Sequence, residues 1–320
     1  MAKTGSVRFA TMIWWRCDDN RMENLTDNCF LCPRNCGVSR RKGNTGFCGM
    51  TETVRAARAA LHMWEEPCIS GSKGSGAVFF SGCTLRCIFC QNHEIAAGKA
   101  GKEISTERLA EIFLELREEG AANINLVTGS HFTPAILKAL DRAKGMGLSL
   151  PIVFNCGGYE SLQTLAMLEG SVDVYLPDFK YMDASLAGKF SHAPDYPERA
   201  KEAIAEMVRQ TGPCVFDDDG YIRRGTIVRH LILPGHTRNS IDALRYLYST
   251  YGNEIYISIM NQYTPVREIP AYPELNRRVT RREYEKVLSA ALELGIENAY
   301  FQEGGTAEES FIPPFDLEGL

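Results

Sequence analysis

Beyond residue 76 the chain alternates two patterns of apolar and polar positions. Short apolar runs fall at 77–81, 124–127, 152–155, 172–176, 227–233, 255–260 and 299–302, and each reads as a strand. Between them apolar residues recur at helical spacing. Leu109, Ile112, Phe113 and Leu116 follow i, i+3, i+4, i+7, with Ser105 before them and Gly120 after. Thr133-Pro134 reads as an N-cap and N1 proline ahead of Ile136, Leu137 and Leu140. Asn239 reads as the cap of a helix carrying Ile241, Leu244, Leu247 and Tyr248. Thr280 and Glu283 form a capping box before Val287, Leu288, Ala291 and Leu292. Strands alternating with helices build a parallel sheet from βα units. Six or seven units are visible, fewer than the eight of a closed barrel. The expected fold is therefore α/β, an open, partial (β/α)6 barrel of the TIM type.

Composition divides the chain. Residues 1–70 hold six of the eleven cysteines and show little helical periodicity, so they read as a cysteine-rich metal-binding region. The glycine- and serine-rich stretch 71–76 reads as a flexible connection into the barrel, expected over 71–305. Residues 306–320 read as a C-terminal arm, packed on the surface or covering the site. A net charge of −5 gives no field for nucleic acid or anionic lipid. Arg277, Arg278, Arg281 and Arg282 read as a solvated helix start, with a docking patch for an acidic partner as the rival. No run of about 18 apolar residues is present, and the apolar patch 12–15 ends at Arg16, so neither a membrane span nor a signal peptide is expected. A cytoplasmic setting follows, in which cysteines serve metals rather than disulfides.

The chemistry concentrates in Gly82-Cys83-Thr84-Leu85-Arg86-Cys87-Ile88-Phe89-Cys90. Cysteines at this spacing suit three irons of one [4Fe–4S] cluster, which leaves the fourth iron open to a ligand. The competing readings are a zinc knuckle with His93 as fourth ligand and a set of buried thiols.

Cys83, Cys87 and Cys90, with the aromatic Phe89 before the third, resemble the hallmark of the radical SAM superfamily. The wider string of Phe80-Ser81-Gly82-Cys83, Arg86-Cys87 and Phe89-Cys90-Gln91-Asn92 resembles the activating enzymes of glycyl radical enzymes, such as pyruvate formate-lyase, and their uncharacterised Fe–S homologues. The activases usually carry Trp where this chain has Phe89. The resemblance implies a six-unit partial barrel, a [4Fe–4S] cluster and S-adenosylmethionine (SAM). It also implies reductive cleavage to a 5′-deoxyadenosyl radical that abstracts hydrogen, an anaerobic setting, and a flavodoxin or ferredoxin as electron donor. The partner it implies is a glycyl radical enzyme. Direct action on a small molecule or peptide, and a non-enzymatic metal or electron-transfer role, are the alternatives.

Chemistry in such barrels gathers at the C-terminal strand ends. By resemblance, Thr128, Gly129, Ser130 and His131 stand where related activases hold the amino group of SAM, although the glutamate of that turn is missing. Asn155 would bond a ribose or methionyl carboxylate, while Phe154 sits where the activases carry a carboxylate that faces a cation. Asp178 and Lys180 match an Asp-x-Lys pair, with the lysine facing the methionyl carboxylate. His230 lies in the segment expected along the adenine, which Phe89 flanks, and Gln262 belongs to a rim for ribose or substrate. Residues 302–305 end the last strand. Cys156 is expected as a small core thiol, with a pocket position as the alternative. Finally, Cys29-x2-Cys32-x3-Cys36 with Cys48 makes a closed four-thiolate set, a structural zinc or an auxiliary iron–sulfur cluster, with unligated thiols as the third reading. Cys17 and Cys68 are alternative ligands.

Overall fold

The computed structural model describes residues 26–301 and 313–320. Cys17, the apolar patch at 12–15, the last strand end at 302–305 and the first part of the arm lie outside the described residues.

Among the described residues ten strands form one twisted sheet. They are β1 (Arg55–His62), β2 (Ser75–Phe80), β3 (Lys102–Glu103), β4 (Ile124–Val127), β5 (Ile152–Cys156), β6 (Val174–Pro177), β7 (Val215–Phe216), β8 (Ile222–Leu231), β9 (Tyr256–Met260) and β10 (Ala299–Phe301). The order is β10-β9-β8-β6-β5-β4-β2-β1-β3, with β7 alongside β8. From β2 through β10 the main path is parallel, and only β1, β3 and β7 pair antiparallel. Among the described residues the two ends of this order do not pair, so the barrel is open, as the alternating pattern predicts.

Among the described residues nine helices accompany it: α1 (Pro67–Ser70), α2 (His93–Ala96), α3 (Thr106–Glu118), α4 (Thr133–Gly145), α5 (Leu162–Leu168), α6 (Ala184–Ser191), α7 (Tyr196–Thr211), α8 (Thr237–Tyr251) and α9 (Arg281–Leu294). Ser105 caps α3 by accepting from the Arg108 amide, and Thr280 with Glu283 closes the capping box of α9. Two caps differ from expectation. Thr133 is already helical, and its hydroxyl donates back to the Ser130 carbonyl at 2.9 Å. Asn239 lies inside α8, where its side chain accepts from the Met182 amide at 2.9 Å and donates to the Lys180 carbonyl at 3.0 Å. It thereby pins the turn after β6. In the basic cluster Arg277 pairs with Glu283 and Arg281 with Glu285.

The expected linker has a different role. β1 lies antiparallel along β2, so the sheet reaches back across residue 70, and the chain between them turns into the barrel. Cys68 and Ile69 of α1 pack with Val153, Val174, Leu176, Ile222 and Ile227, an apolar plug beneath the strand ends. Cys68 is thus a core thiol. The C-terminal residues run along β1: the Ala59 amide donates to the Glu318 carbonyl at 2.8 Å and Arg58 pairs with Asp316 and Glu318.

Candidate active site

The loop that leaves β2 carries the three cysteines. Gly82 has φ +84, and a Cβ there would meet the Cys48 carbonyl at 2.8 Å, so this close approach requires glycine. The Leu85 amide donates to Cys83 Sγ at 3.4 Å, the Ser191 hydroxyl donates to Cys87 Sγ at 2.9 Å, and the Asn92 amide faces Cys90. All three thiols line one cavity at the C-terminal strand ends. Burial pushes Cys90 up to about 12, with Cys87 and Cys83 adding repulsion. Burial raises Cys87 as well, opposed by the nearby Lys180. Phe89 also faces the cavity, its ring 6.1 Å from Tyr263 and 6.4 Å from Phe190.

The strand ends supply a polar floor. Arg229 donates to Asp178 Oδ1 at 3.0 Å, to Asn155 Oδ1 at 2.6 Å and to Glu65 Oε2 at 3.2 Å. Glu65 Oε1 in turn accepts from Asn125 at 3.0 Å and Asn155 at 3.1 Å. Lys180 is paired with Asp178. Burial pushes the Asp178 carboxyl up, but Lys180 and Arg229 outweigh it and hold it below its ordinary value. Burial works against the charge of Lys180, yet Asp178 holds it raised. Buried ions persist when each is paired and hydrogen-bonded.

Thr128 occupies the left-handed region at φ +61, an uncommon state for a β-branched residue that marks local strain. Beside it Ser130 donates to Glu160 Oε1 at 2.9 Å, while Glu160 Oε2 is buried without a partner among the described residues. Burial lifts Glu160 to about 7. The Cys156 thiol, expected in the core, also lines the cavity beside it.

Of the predicted site residues, Cys83, Cys87, Phe89, Cys90, Thr128, Ser130, His131, Asn155, Asp178, Lys180 and Gln262 all face this cavity. Three expectations change. His230 is fully buried on the opposite side of β8, with Nδ1 2.6 Å from the Phe179 carbonyl, and Arg229 takes the cavity side. Neighbours in a strand face opposite ways, so only one could. Gly129 has φ −86 and packs towards Ile136 and Phe80; the left-handed residue is Thr128. His131 acts as a strut: Nε2 lies 2.7 Å from the Ser81 carbonyl, and its own carbonyl accepts from Arg40. Phe154 faces away from the site, against Tyr175. Sequence reasoning missed Glu65 and Glu160 and passed over Arg229. A carboxylate in the glycine-rich turn after β5 was the available signal for Glu160.

Cys29, Cys32, Cys36 and Cys48 come together beside the Gly82 turn, away from the cavity lining. Among the described residues, no three His, Cys, Asp or Glu are grouped to hold a single metal ion. That holds for both cysteine sets. None of the described helices is long and apolar enough to cross a membrane.

An uncharacterized protein of Methanocaldococcus jannaschii, MJ0674, is 28% identical over 285 residues, covering 87% of this chain and 78% of that protein. Streptococcus suis SuiB bound to S-adenosylmethionine superposes with a TM-score of 0.46 at 14% identity, covering 70% of this chain. Methylornithine synthase superposes with a TM-score of 0.44 at 16% identity, covering 66%. This chain spans 49% and 58% of the length of those two structures. Residues 77–247, the segment from β2 through most of α8, match the Radical SAM superfamily. With the three-cysteine loop at the head of that segment, the chain belongs to the radical SAM superfamily.

Proposed function

We propose that the chain is an enzyme that cleaves SAM reductively and abstracts a hydrogen atom from a substrate held in the cavity. Superfamily membership implies a [4Fe–4S] cluster and SAM, and the donor set fits both. Cys83, Cys87 and Cys90 would hold three irons, leaving the fourth for the amino and carboxylate groups of SAM. When bound, these groups supply a 5′-deoxyadenosyl radical. The chain's own residues do the rest. The orphaned oxygen of Glu160, beside Ser130 and the strained Thr128, suits the N–H of an amino group. Lys180 suits the methionyl carboxylate, its charge kept by Asp178. Phe89 would flank the adenine. Gln262, whose carbonyl accepts from Gln91 at 3.1 Å, would meet ribose. The observation that carries the reading is the convergence of three thiols and this paired charge network on one cavity.

Past these residues the cavity continues to His62, Trp64, Phe79 and Pro313. This aromatic chamber supports a small molecule or short peptide as substrate. Taking hydrogen from a glycine of a partner glycyl radical enzyme is the second reading, motivated by the wider cysteine-loop string. A flavodoxin or ferredoxin would supply the electron. A reducing cytoplasm, where cysteines serve metals rather than disulfides, is part of this reading. The test adds the small-molecule or the macromolecular fraction of a cell lysate to reduced, cluster-loaded protein with SAM. The small-molecule fraction is expected to stimulate 5′-deoxyadenosine release. Stimulation by macromolecules alone, with a glycyl radical in the electron paramagnetic resonance (EPR) spectrum, would overturn that substrate class.

A further inference from the structure

We propose that Cys29, Cys32, Cys36 and Cys48 ligate a second, closed iron–sulfur cluster that braces the loop of Cys83, Cys87 and Cys90. A short turn-rich segment gathers the first three: the Cys29 amide donates to the Val38 carbonyl at 3.0 Å, the Gly37 amide to the Cys29 carbonyl at 3.1 Å, and the Asn35 amide to the Cys32 carbonyl at 3.1 Å. Cys29, Cys32 and Cys48 are buried and Cys36 is half-buried. Cys32 lies in electrostatic range of the other three, and Cys48 of Cys29 and Cys36.

Backbone amides are aimed at the sulfurs. The Phe47 amide donates to Cys36 Sγ at 3.3 Å, the Arg34 amide faces Cys32, and the Met50 amide faces Cys48. In the last two the amide belongs to the residue two beyond the cysteine. The catalytic loop repeats this device, with Leu85 on Cys83 and Asn92 on Cys90. A neutral thiol is a weak acceptor, so amides directed at sulfur favour thiolate, and such bonds are a recognised influence on iron–sulfur centres.

A cubane gives each thiolate its own iron. No described cysteine is in a disulfide. Four thiolates on four irons leave no open position, so this centre would not bind SAM. Its place gives it a role. The Cys48 carbonyl lies against Gly82, and Arg34 donates to the Thr84 carbonyl at 2.9 Å and the Ser191 carbonyl at 3.0 Å. The segment thus grips the catalytic loop from outside, whatever the substrate.

The test is iron, zinc and acid-labile sulfide analysis of anaerobically purified full-length protein, with a Cys83→Ala/Cys87→Ala/Cys90→Ala variant beside it. The native chain is expected to hold about eight irons and eight sulfides, against about four for a single cubane. The triple variant is expected to keep about four, with an EPR signal that SAM does not perturb. About four irons in the native chain, or zinc in place of the second set, would overturn the proposal. The native count decides even if the variant does not fold. It is separate from SAM cleavage, which tests the proposed function.

Discussion

Glu160 carries one satisfied and one orphaned carboxyl oxygen at the edge of the cavity, and burial lifts it to about 7. If Oε2 accepts from the amino group of SAM, ionisation of Glu160 strengthens binding. Native affinity is expected to rise from about pH 6 to about pH 8, through its raised pKa. Glu160→Gln keeps the shape and removes the charge. Equilibrium dialysis of the cluster-loaded variant should show SAM bound about 10-fold more weakly, in line with about 1.5 kcal/mol for a charge-assisted hydrogen bond, and a flat pH profile. Unchanged affinity would remove Glu160 from this role. Residue-scale legibility was uneven for a physical reason. β5 and β8 are largely buried on both faces, so their sequences lack the alternation that tells inside from outside. Arg229 and His230 were therefore equivalent on paper, as were Phe154 and Asn155 as cavity neighbours. The cysteine loop needed no such parity, because its spacing alone carries the chemistry.

At the scale of elements, the turn after β5 depends on Gly158. Its φ is +74, and a Cβ would collide with the Asp178 carbonyl. Gly158→Ala should cost roughly 2 kcal/mol or more in urea unfolding, because it adds left-handed strain to a backbone clash. It should also weaken SAM binding by displacing Asp178. A variant as stable as the native chain would show that the turn relaxes freely. The parallel units were legible because each apolar run is followed by a capped amphipathic helix. β1 was not, since its sequence Arg-Ala-Ala-Arg-Ala-Ala-Leu-His has neither strand-forming residues nor clean alternation, and its pairing with β2 is a tertiary choice. α7 was not singled out either, because small Ala200 and Ala203 make up much of its buried face. The α1 plug looked like a linker because four residues cannot show a period.

Across the whole molecule, the charges under the cavity hold the strands together. Arg229 joins Glu65, Asn155 and Asp178, from three separate parts of the chain. Arg229→Met leaves two buried carboxylates short of their cation and should cost about 3–5 kcal/mol, measured by urea unfolding. A loss below about 1 kcal/mol would mean that Lys180 and water neutralise the floor on their own. Acid should act through buried histidines. Burial lowers His230 to about 4 and His131 to about 3. The unfolded chain takes up their protons near pH 6.5, so their contribution is present above that pH and lost as pH falls towards the folded values. Glu160, raised to about 7, has the opposite sign: it loses stability as pH rises from 4.5. His230→Gln is expected to lessen the acid loss by about 1.4 kcal/mol per pH unit between about pH 6 and about pH 4.5. Equal slopes would place the acid sensitivity elsewhere.

The central claim is reductive SAM cleavage at the open iron of the Cys83–Cys87–Cys90 loop. Its most direct test is mass-spectrometric detection of 5′-deoxyadenosine after anaerobic incubation of cluster-loaded protein with SAM and dithionite, beside Cys87→Ala. Release by the native chain and none by the variant is the predicted result. Equal release by both, or none from a native chain whose catalytic cluster is loaded and whose SAM site is saturated, would contradict it.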